Sequence, residues 1–135
     1  MASVLVDSSE LLDVLTEDQR WFDWSSEALA RCSASGPLAI NPIIYAEISI
    51  RFSRVEELDQ ALGAEFERRP LPWTAAFLAG KCFVNYKQRG GRASSTLPDF
   101  FIGAHAAVEK ITLLTRDVSR YKAYFPTVPL IAPKR

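Results

Sequence analysis

The sequence predicts an α/β protein: a short parallel sheet with helices on both faces. Three observations predict it. Short apolar runs recur at residues 3–6, 38–40, 111–115 and 128–131. Longer segments of helical character separate them, so neighbouring strands are joined by crossovers rather than hairpins. The runs are also apolar throughout instead of alternating, as strands covered on both faces must be. No internal repeat or low-complexity linker divides the chain, which reads as a single domain over residues 1–135.

Each element has a local reason. Ser3-Val4-Leu5-Val6 ends abruptly at Asp7, the mark of a buried strand and its exit. Ser8 caps a following helix through Glu10, Leu11 and Leu12. Thr16-Glu17-Asp18-Gln19 has the capping-box pattern, with Thr16 at the N-cap and Gln19 reaching back. The helix it opens carries Trp21, Trp24, Ala28 and Cys32 on one face, and Gly36-Pro37 ends it. Leu38-Ala39-Ile40 is the second strand. Asn41 caps the next helix, with Pro42 at its first position. Ile43, Ile44, Ala46, Ile48 and Ile50 predict that this helix lies deep, and Glu47 interrupts its apolar run. A further helix covers about residues 55–67, before the break at Arg69-Pro70-Leu71-Pro72.

Trp73 to Lys87 is helical, with a mostly amphipathic pattern. Residues 89–95 form a basic, small-residue loop around Gly90-Gly91. Thr96 and Pro98 open another helix with Asp99 in its first turn. Its interior, Ile102 to Ala107, is rich in small residues and suits close packing. Ile111 to Thr115 is the third strand, ended by Arg116-Asp117, and 118–124 form a short helix or turn. Val128 to Ile131 is the last strand, which Pro129 assigns to an edge.

Composition narrows the function. Sixteen basic and sixteen acidic residues cancel, so no global basic field draws in nucleic acid. Chemistry on phosphates would need a local patch, or metal ions, to manage their charge. Hydrophobic residues are 48% and charged residues 24%, a globular rather than a disordered balance. The apolar runs are too short to span a membrane, and the N-terminus lacks the pattern of a signal peptide. Cys32 and Cys82 cannot make a zinc site by themselves, and the single His105 could at best join them. They read as reduced, buried thiols of a cytoplasmic protein.

Four carboxylates stand out. In open α/β sheets ligands bind beyond the carboxyl ends of the strands, where Asp7 and Asp117 both fall. Asp99 lies in a helical first turn, where the macrodipole favours an anion, and that helix leads back to the sheet. Glu47 is a charge inside an apolar helical run and must be paired, neutralised or bound to metal. Gathered together, four carboxylates raise one another's pKa values, and divalent cations relieve that repulsion. Mg²⁺ and Mn²⁺ prefer oxygen ligands and can activate water for phosphodiester hydrolysis. Each residue also has a plain structural use. Asp7 can form a turn or cap, Glu47 can pair with Arg51, Asp99 can serve its helix start, and Asp117 can end a strand.

The chain resembles the PIN-domain family, and within it the VapC toxins of bacterial toxin–antitoxin pairs. The resemblance rests on an ordered set of pieces between Val4 and Pro133: Val-Leu-Val-Asp-Ser-Ser at 4–9, Asn-Pro-Ile-Ile-Tyr-Ala-Glu at 41–47, Leu-Pro-Asp-Phe-Phe-Ile-Gly-Ala-His-Ala at 97–106, Leu-Leu-Thr-Arg-Asp at 113–117, and Tyr-Phe-Pro-Thr-Val-Pro-Leu-Ile-Ala-Pro at 124–133. It implies a three-layer sandwich and a metal-dependent endoribonuclease, with Mg²⁺ or Mn²⁺ as cofactor and RNA as substrate. It implies that Asp7, Glu47, Asp99 and Asp117 form the acidic site. Asp7 and Asp99 then match the positions most directly tied to the metal, and Asp117 the one that binds or orders a second metal or its waters. Ser9 and Thr115 match hydroxyl positions beside the site, with helix capping and strand ending as their plain alternatives. The resemblance also implies a cognate VapB-type antitoxin, and a homodimer or a toxin–antitoxin hetero-oligomer.

Other features carry alternatives. Lys87, Arg89 and Arg92 flank the glycine loop, either as a phosphate-contacting patch or as solvated charge. Arg116 beside Asp117 contacts phosphate, screens the carboxylates, or is a surface charge. His105 lies about 240° around its helix from Asp99 and reads as structural rather than catalytic. Trp21, Phe22 and Trp24, with Phe77 and Phe83, are either core or a docking surface. A PIN-like binding module without nuclease activity is the rival function. A phosphatase with a nucleophilic Asp7 fails because Ser9 stands where a second Asp is needed. Dinucleotide and P-loop readings fail for want of a glycine-rich turn after the first strand.

Overall fold

The computed structural model describes residues 3–90 and 95–134. Five parallel strands form one sheet: β1 (Val4–Val6), β2 (Leu38–Ile40), β3 (Phe66–Arg68), β4 (Thr112–Leu114) and β5 (Leu130–Ile131), in the order β3-β2-β1-β4-β5. Register aligns Val4 with both Leu38 and Thr112, so the strands end on a common rim. Among the described residues seven helices connect them: α1 (Ser8–Leu15), α2 (Phe22–Ser35), α3 (Pro42–Ser49), α4 (Val55–Leu62), α5 (Trp73–Gln88), α6 (Leu97–Glu109) and α7 (Val118–Tyr124). Helix α1 packs on α2 and α3, and α5 packs on α6. The expected sandwich is the observed one. Among the described residues no helix is long and apolar enough to cross a membrane.

The core follows from the strands. Leu5, Val6, Leu38, Ala39, Ile40, Leu113 and Leu114 are buried. On one face Leu11, Leu29, Leu62 and Phe66 surround a cavity of about 260 Å³ between α1, α2 and α4. On the other, Phe100 of α6 meets Phe83 of α5, Tyr124 of α7 and Phe125 just beyond it at ring distances of 5.5–6.2 Å. Gly103 is required here, because a Cβ would run into the Phe125 ring. The outer side of α5 leaves Trp73, Phe77 and Val84 exposed.

Several local expectations are corrected. Thr16 does not open a helix: it is the C-cap of α1, and its hydroxyl donates to the Leu12 carbonyl. The Asp18 carboxylate accepts the Arg20 and Trp21 N–H groups instead, so α2 starts at Phe22. Ser8 is not a cap either, because Asp7 holds the N-cap position and the Ser8 hydroxyl turns to Glu47. The helix expected over 55–67 stops at Leu62. Gly63 leaves in the left-handed region at φ 73°, and 66–68 become the edge strand β3 paired to β2. The apolar helix α3 lies less deep than its composition suggests. Only Ile44 and Ile48 are buried, because a helix turns one stripe inward, and Ile50 at its end is 82% exposed. Cys32 is a buried free thiol as expected, whereas Cys82 is only half-buried.

Trp21 and Trp24 are both half-buried and meet edge to face at 6.2 Å. Phe22 is half-buried too, and Phe77 stands exposed under Lys81. His105 is fully buried. Asn41 accepts the Ile44 N–H through Oδ1, so its amide nitrogen donates to His105 Nδ1 at 2.9 Å. The imidazole proton therefore sits on Nε2, which faces a Glu109 carboxylate oxygen 3.1 Å away.

Candidate active site

The candidate site lies on the rim where β1 and β4 end. Asp7 follows β1 directly and is 6% exposed. Its Oδ2 accepts hydrogen bonds from the Thr115 hydroxyl at 2.8 Å and from the Tyr121 hydroxyl at 3.2 Å. Burial pushes this carboxyl above the ordinary range, against those hydrogen bonds and the charge of Arg120. Thr115 also accepts the Asp117 N–H at 3.0 Å, so one hydroxyl ties the two acidic segments together.

Glu47 reaches the rim from α3. The Ser8 hydroxyl donates to its Oε1 at 2.7 Å, and no ion pair with Arg51 forms among the described residues. Burial raises the Glu47 carboxyl, and the charges of Asp7 and Asp99 raise it further. Asp99 enters from the start of α6, where it closes a capping box by accepting the Thr96 N–H at 2.7 Å. Its plain structural use and its place on the rim therefore coexist. Asp117 sits at the N-cap of α7.

Arg120, one turn into α7, binds this acidic group from within. Its Nη1 is 2.7 Å from Asp117 Oδ2 and 3.7 Å from Asp99 Oδ1, and its Nε–H donates to Ser95 at 3.1 Å. Thus Asp7, Asp99 and Asp117 share a few side chains, and Glu47 joins them through its charge. As they stand, no three acidic, histidine or cysteine side chains among the described residues converge closely enough to hold an ion. The donor chemistry fits a hard divalent cation, since every donor is a carboxylate oxygen. The Arg120 guanidinium supplies the positive charge between Asp99 and Asp117.

The supporting residues divide. Thr115 lies against Asp7 as described. Ser9 does not, because its hydroxyl donates to Glu10 at 2.9 Å, and it is the neighbouring Ser8 that meets a site carboxylate. Arg116 turns to α1. It forms a two-pronged pair with Asp13, at 2.9 Å from each nitrogen, while its ring-facing side lies over Trp21. Arg92 lies outside the described residues. Lys87 and Arg89 are exposed, with the Arg89 guanidinium 5.7 Å from the Tyr124 ring.

Four residues escaped the sequence reading. Arg120 and Tyr121 contact the site from α7, and the i,i+3 spacing of Asp117 and Arg120 was the available signal. Glu10 and Asp13 lie buried beneath it on α1. Glu10 Oε2 accepts from Ser9 and from the Arg116 N–H, while its Oε1 is buried without a partner. Burial, with Asp7 close by, pushes the Glu10 carboxyl up to about 9. Acids at 7, 10 and 13, each three apart among leucines, were the readable sign.

A parallel sheet covered on both faces, with acidic side chains on its carboxyl rim, is an α/β protein whose candidate site lies where open sheets bind ligands. The PIN domain family model matches residues 4–125, and the chain belongs to the PIN-domain family. Solved structures agree on the fold. VapBC2 from Rickettsia felis, bound to a DNA fragment from its promoter, superposes with a TM-score of 0.74 at 18% identity, covering 98% of this chain and 99% of that one. DNA-bound VapBC from Salmonella typhimurium gives 0.71 at 13% identity, covering 98% of each chain. A toxin–antitoxin complex from Klebsiella pneumoniae gives 0.68 at 22%, covering 98% of each. No curated protein sequence matches the chain.

Proposed function

We propose that this protein is a Mg²⁺- or Mn²⁺-dependent endoribonuclease of the VapC type, a cytoplasmic toxin restrained by a cognate VapB-type antitoxin. One observation carries the reading: Asp7, Glu47, Asp99 and Asp117, from four separated segments, are coupled at one rim through Thr115, Ser8 and Arg120. Membership of the PIN family supports the nuclease activity, and the toxin–antitoxin complexes among similar folds support the antitoxin.

The chain's own residues do the positioning. Thr115 and Tyr121 fix one oxygen of Asp7. Ser8 fixes Glu47, and the capping box fixes Asp99. When bound, Mg²⁺ or Mn²⁺ supplies the charge that activates water and stabilises the scissile phosphate. Asp7, Asp99 and Asp117 would hold it, and Glu47 would orient the attacking water. A homodimer and a toxin–antitoxin hetero-oligomer both suit the reading.

The test is to incubate the antitoxin-free protein with total bacterial RNA in Mg²⁺, in Mn²⁺ and in EDTA, alongside Asp7→Asn. Discrete fragments that need metal and vanish in the variant support the reading. The rival, a binding module without nuclease activity, is favoured by the absence of three converging acids among the described residues. A folded protein that cleaves nothing and binds no divalent ion would establish that rival.

A further inference from the structure

Arg120 differs from the other paired arginines. Arg116 is locked on Asp13, Arg69 on Glu67 and Glu109, and Arg68 on Asp59. Arg120 instead serves the acidic rim. It touches Asp117 at 2.7 Å and approaches Asp99 at 3.7 Å, and its charge acts on Asp7 and Glu47 as well. Its side chain is 17% exposed.

We infer that Arg120 is an exchangeable counter-ion: it bridges Asp99 and Asp117 until a divalent cation takes that place, and the displaced guanidinium then binds a phosphate of the RNA. The inference rests on reading the site as a divalent-metal nuclease. It names a residue that handles the substrate's charge.

Three features lead to it. First, a guanidinium stays charged at any working pH, so Arg120 can yield its place only by moving. A divalent cation shared by Asp99 and Asp117 would face that charge at contact distance, where like charges repel strongly. Second, the grip is uneven. The Asp117 contact is short, whereas the Asp99 contact is at the limit of an ion pair, so the Asp99 side opens first. Third, there is somewhere to go. A pocket of about 340 Å³ adjoins Arg120 and Asp117 and is lined by Tyr86, Ser95, Ser119 and Tyr124. Arg89 lies over the Tyr124 ring at its edge. A planar guanidinium turned into that pocket presents paired donors suited to two phosphate oxygens.

The test compares wild type with Arg120→Gln. Calorimetric titration with Mn²⁺ should show roughly tenfold tighter binding in the variant, because a competing charged hydrogen bond is gone. With Mn²⁺ saturating, adenosine 5′-monophosphate, a phosphate ligand with no phosphodiester to cleave, should bind the variant roughly tenfold more weakly. In wild type, the Arg120 Nε–H resonance, assigned by its loss in Arg120→Lys, should shift with Mg²⁺ at the calorimetric midpoint. Unchanged or weaker Mn²⁺ binding in Arg120→Gln overturns the exchange, and so does unchanged nucleotide affinity. If Arg120→Gln does not fold, the resonance decides: one that saturating Mg²⁺ leaves in place overturns it. A wild-type protein that binds no Mn²⁺ refutes the nuclease reading and the exchange together. Wild-type binding without tightening in the variant refutes the exchange alone.

Discussion

The Thr115 hydroxyl donates to Asp7 Oδ2 at 2.8 Å across 108 residues of sequence, and accepts the Asp117 N–H at 3.0 Å. It is fully buried, so neither bond has a solvent substitute. Thr115→Val keeps the shape and removes both. A hydrogen bond to a buried charged group contributes about 1.5–3 kcal/mol, and the variant should lose stability of that order by urea unfolding. RNA cleavage should fall with it. A variant as stable and active as wild type would mean that Asp7 does not depend on Thr115.

Arg116 holds Asp13 in a two-pronged pair. The Asp13 carboxylate is 3% exposed and also accepts from Ser25 at 2.7 Å. Breaking a buried pair by removing one partner costs about 3 kcal/mol, so Arg116→Gln should lower the denaturation midpoint markedly. Phosphate affinity, measured with adenosine 5′-monophosphate, should stay as in wild type. Loss of nucleotide binding with intact stability would restore Arg116 to the substrate.

Glu10 gives a pH dependence of one sign. Its carboxyl is raised to about 9 in the folded protein by burial and by Asp7, from an ordinary value of 4.5. The folded state therefore holds a proton that the unfolded chain releases, and this contribution is lost as pH rises from 4.5 through about 9. Without metal, Glu10→Gln should melt higher than wild type at pH 8 and show a flatter pH profile. Parallel profiles for the two proteins would show that Glu10 ionises freely.

His105 gives the opposite sign. Burial lowers its pKa below 6.5, although Glu109 pulls the other way. The unfolded chain then takes up the proton first, so stability present above 6.5 is lost as pH falls through the folded value. His105→Gln keeps an acceptor for Asn41 and should remove that acid-side loss. An unchanged acid limb in thermal melts would count against a neutral buried imidazole.

Much of this was legible in sequence because local rules and tertiary needs agreed. Uniformly apolar runs gave four of the strands, and Asn41 and Thr96 marked two helix starts as the structure has them. The edge strand β3 was hidden because Phe66-Glu67-Arg68 carries no apolar pattern; its pairing with β2 alone makes it a strand. Thr16 fits a capping box locally, but Asp18 lies closer to where α2 must start to turn Ser25, Ala28 and Cys32 inward. At the site, the four acids could be picked out by their positions after strands and in helix turns. The Ser9 hydroxyl, which the resemblance puts beside the site, donates to Glu10 while the adjacent Ser8 meets Glu47, and a helix start alone does not reveal which of two neighbouring hydroxyls meets which carboxylate. Arg120 was missed because a cation on a short helix looks like solvated surface until the sheet brings Asp99 beside it.

On the proposed function, the carboxylate rim holds a divalent cation. A crystal soaked in Mn²⁺, with data collected at the manganese edge, tests it most directly. The expected result is an anomalous peak about 2.1 Å from carboxylate oxygens of Asp7 and Asp99, with the Arg120 guanidinium withdrawn from Asp99. A fully soaked crystal with no peak among Asp7, Glu47, Asp99 and Asp117, or with manganese bound only elsewhere, would contradict it.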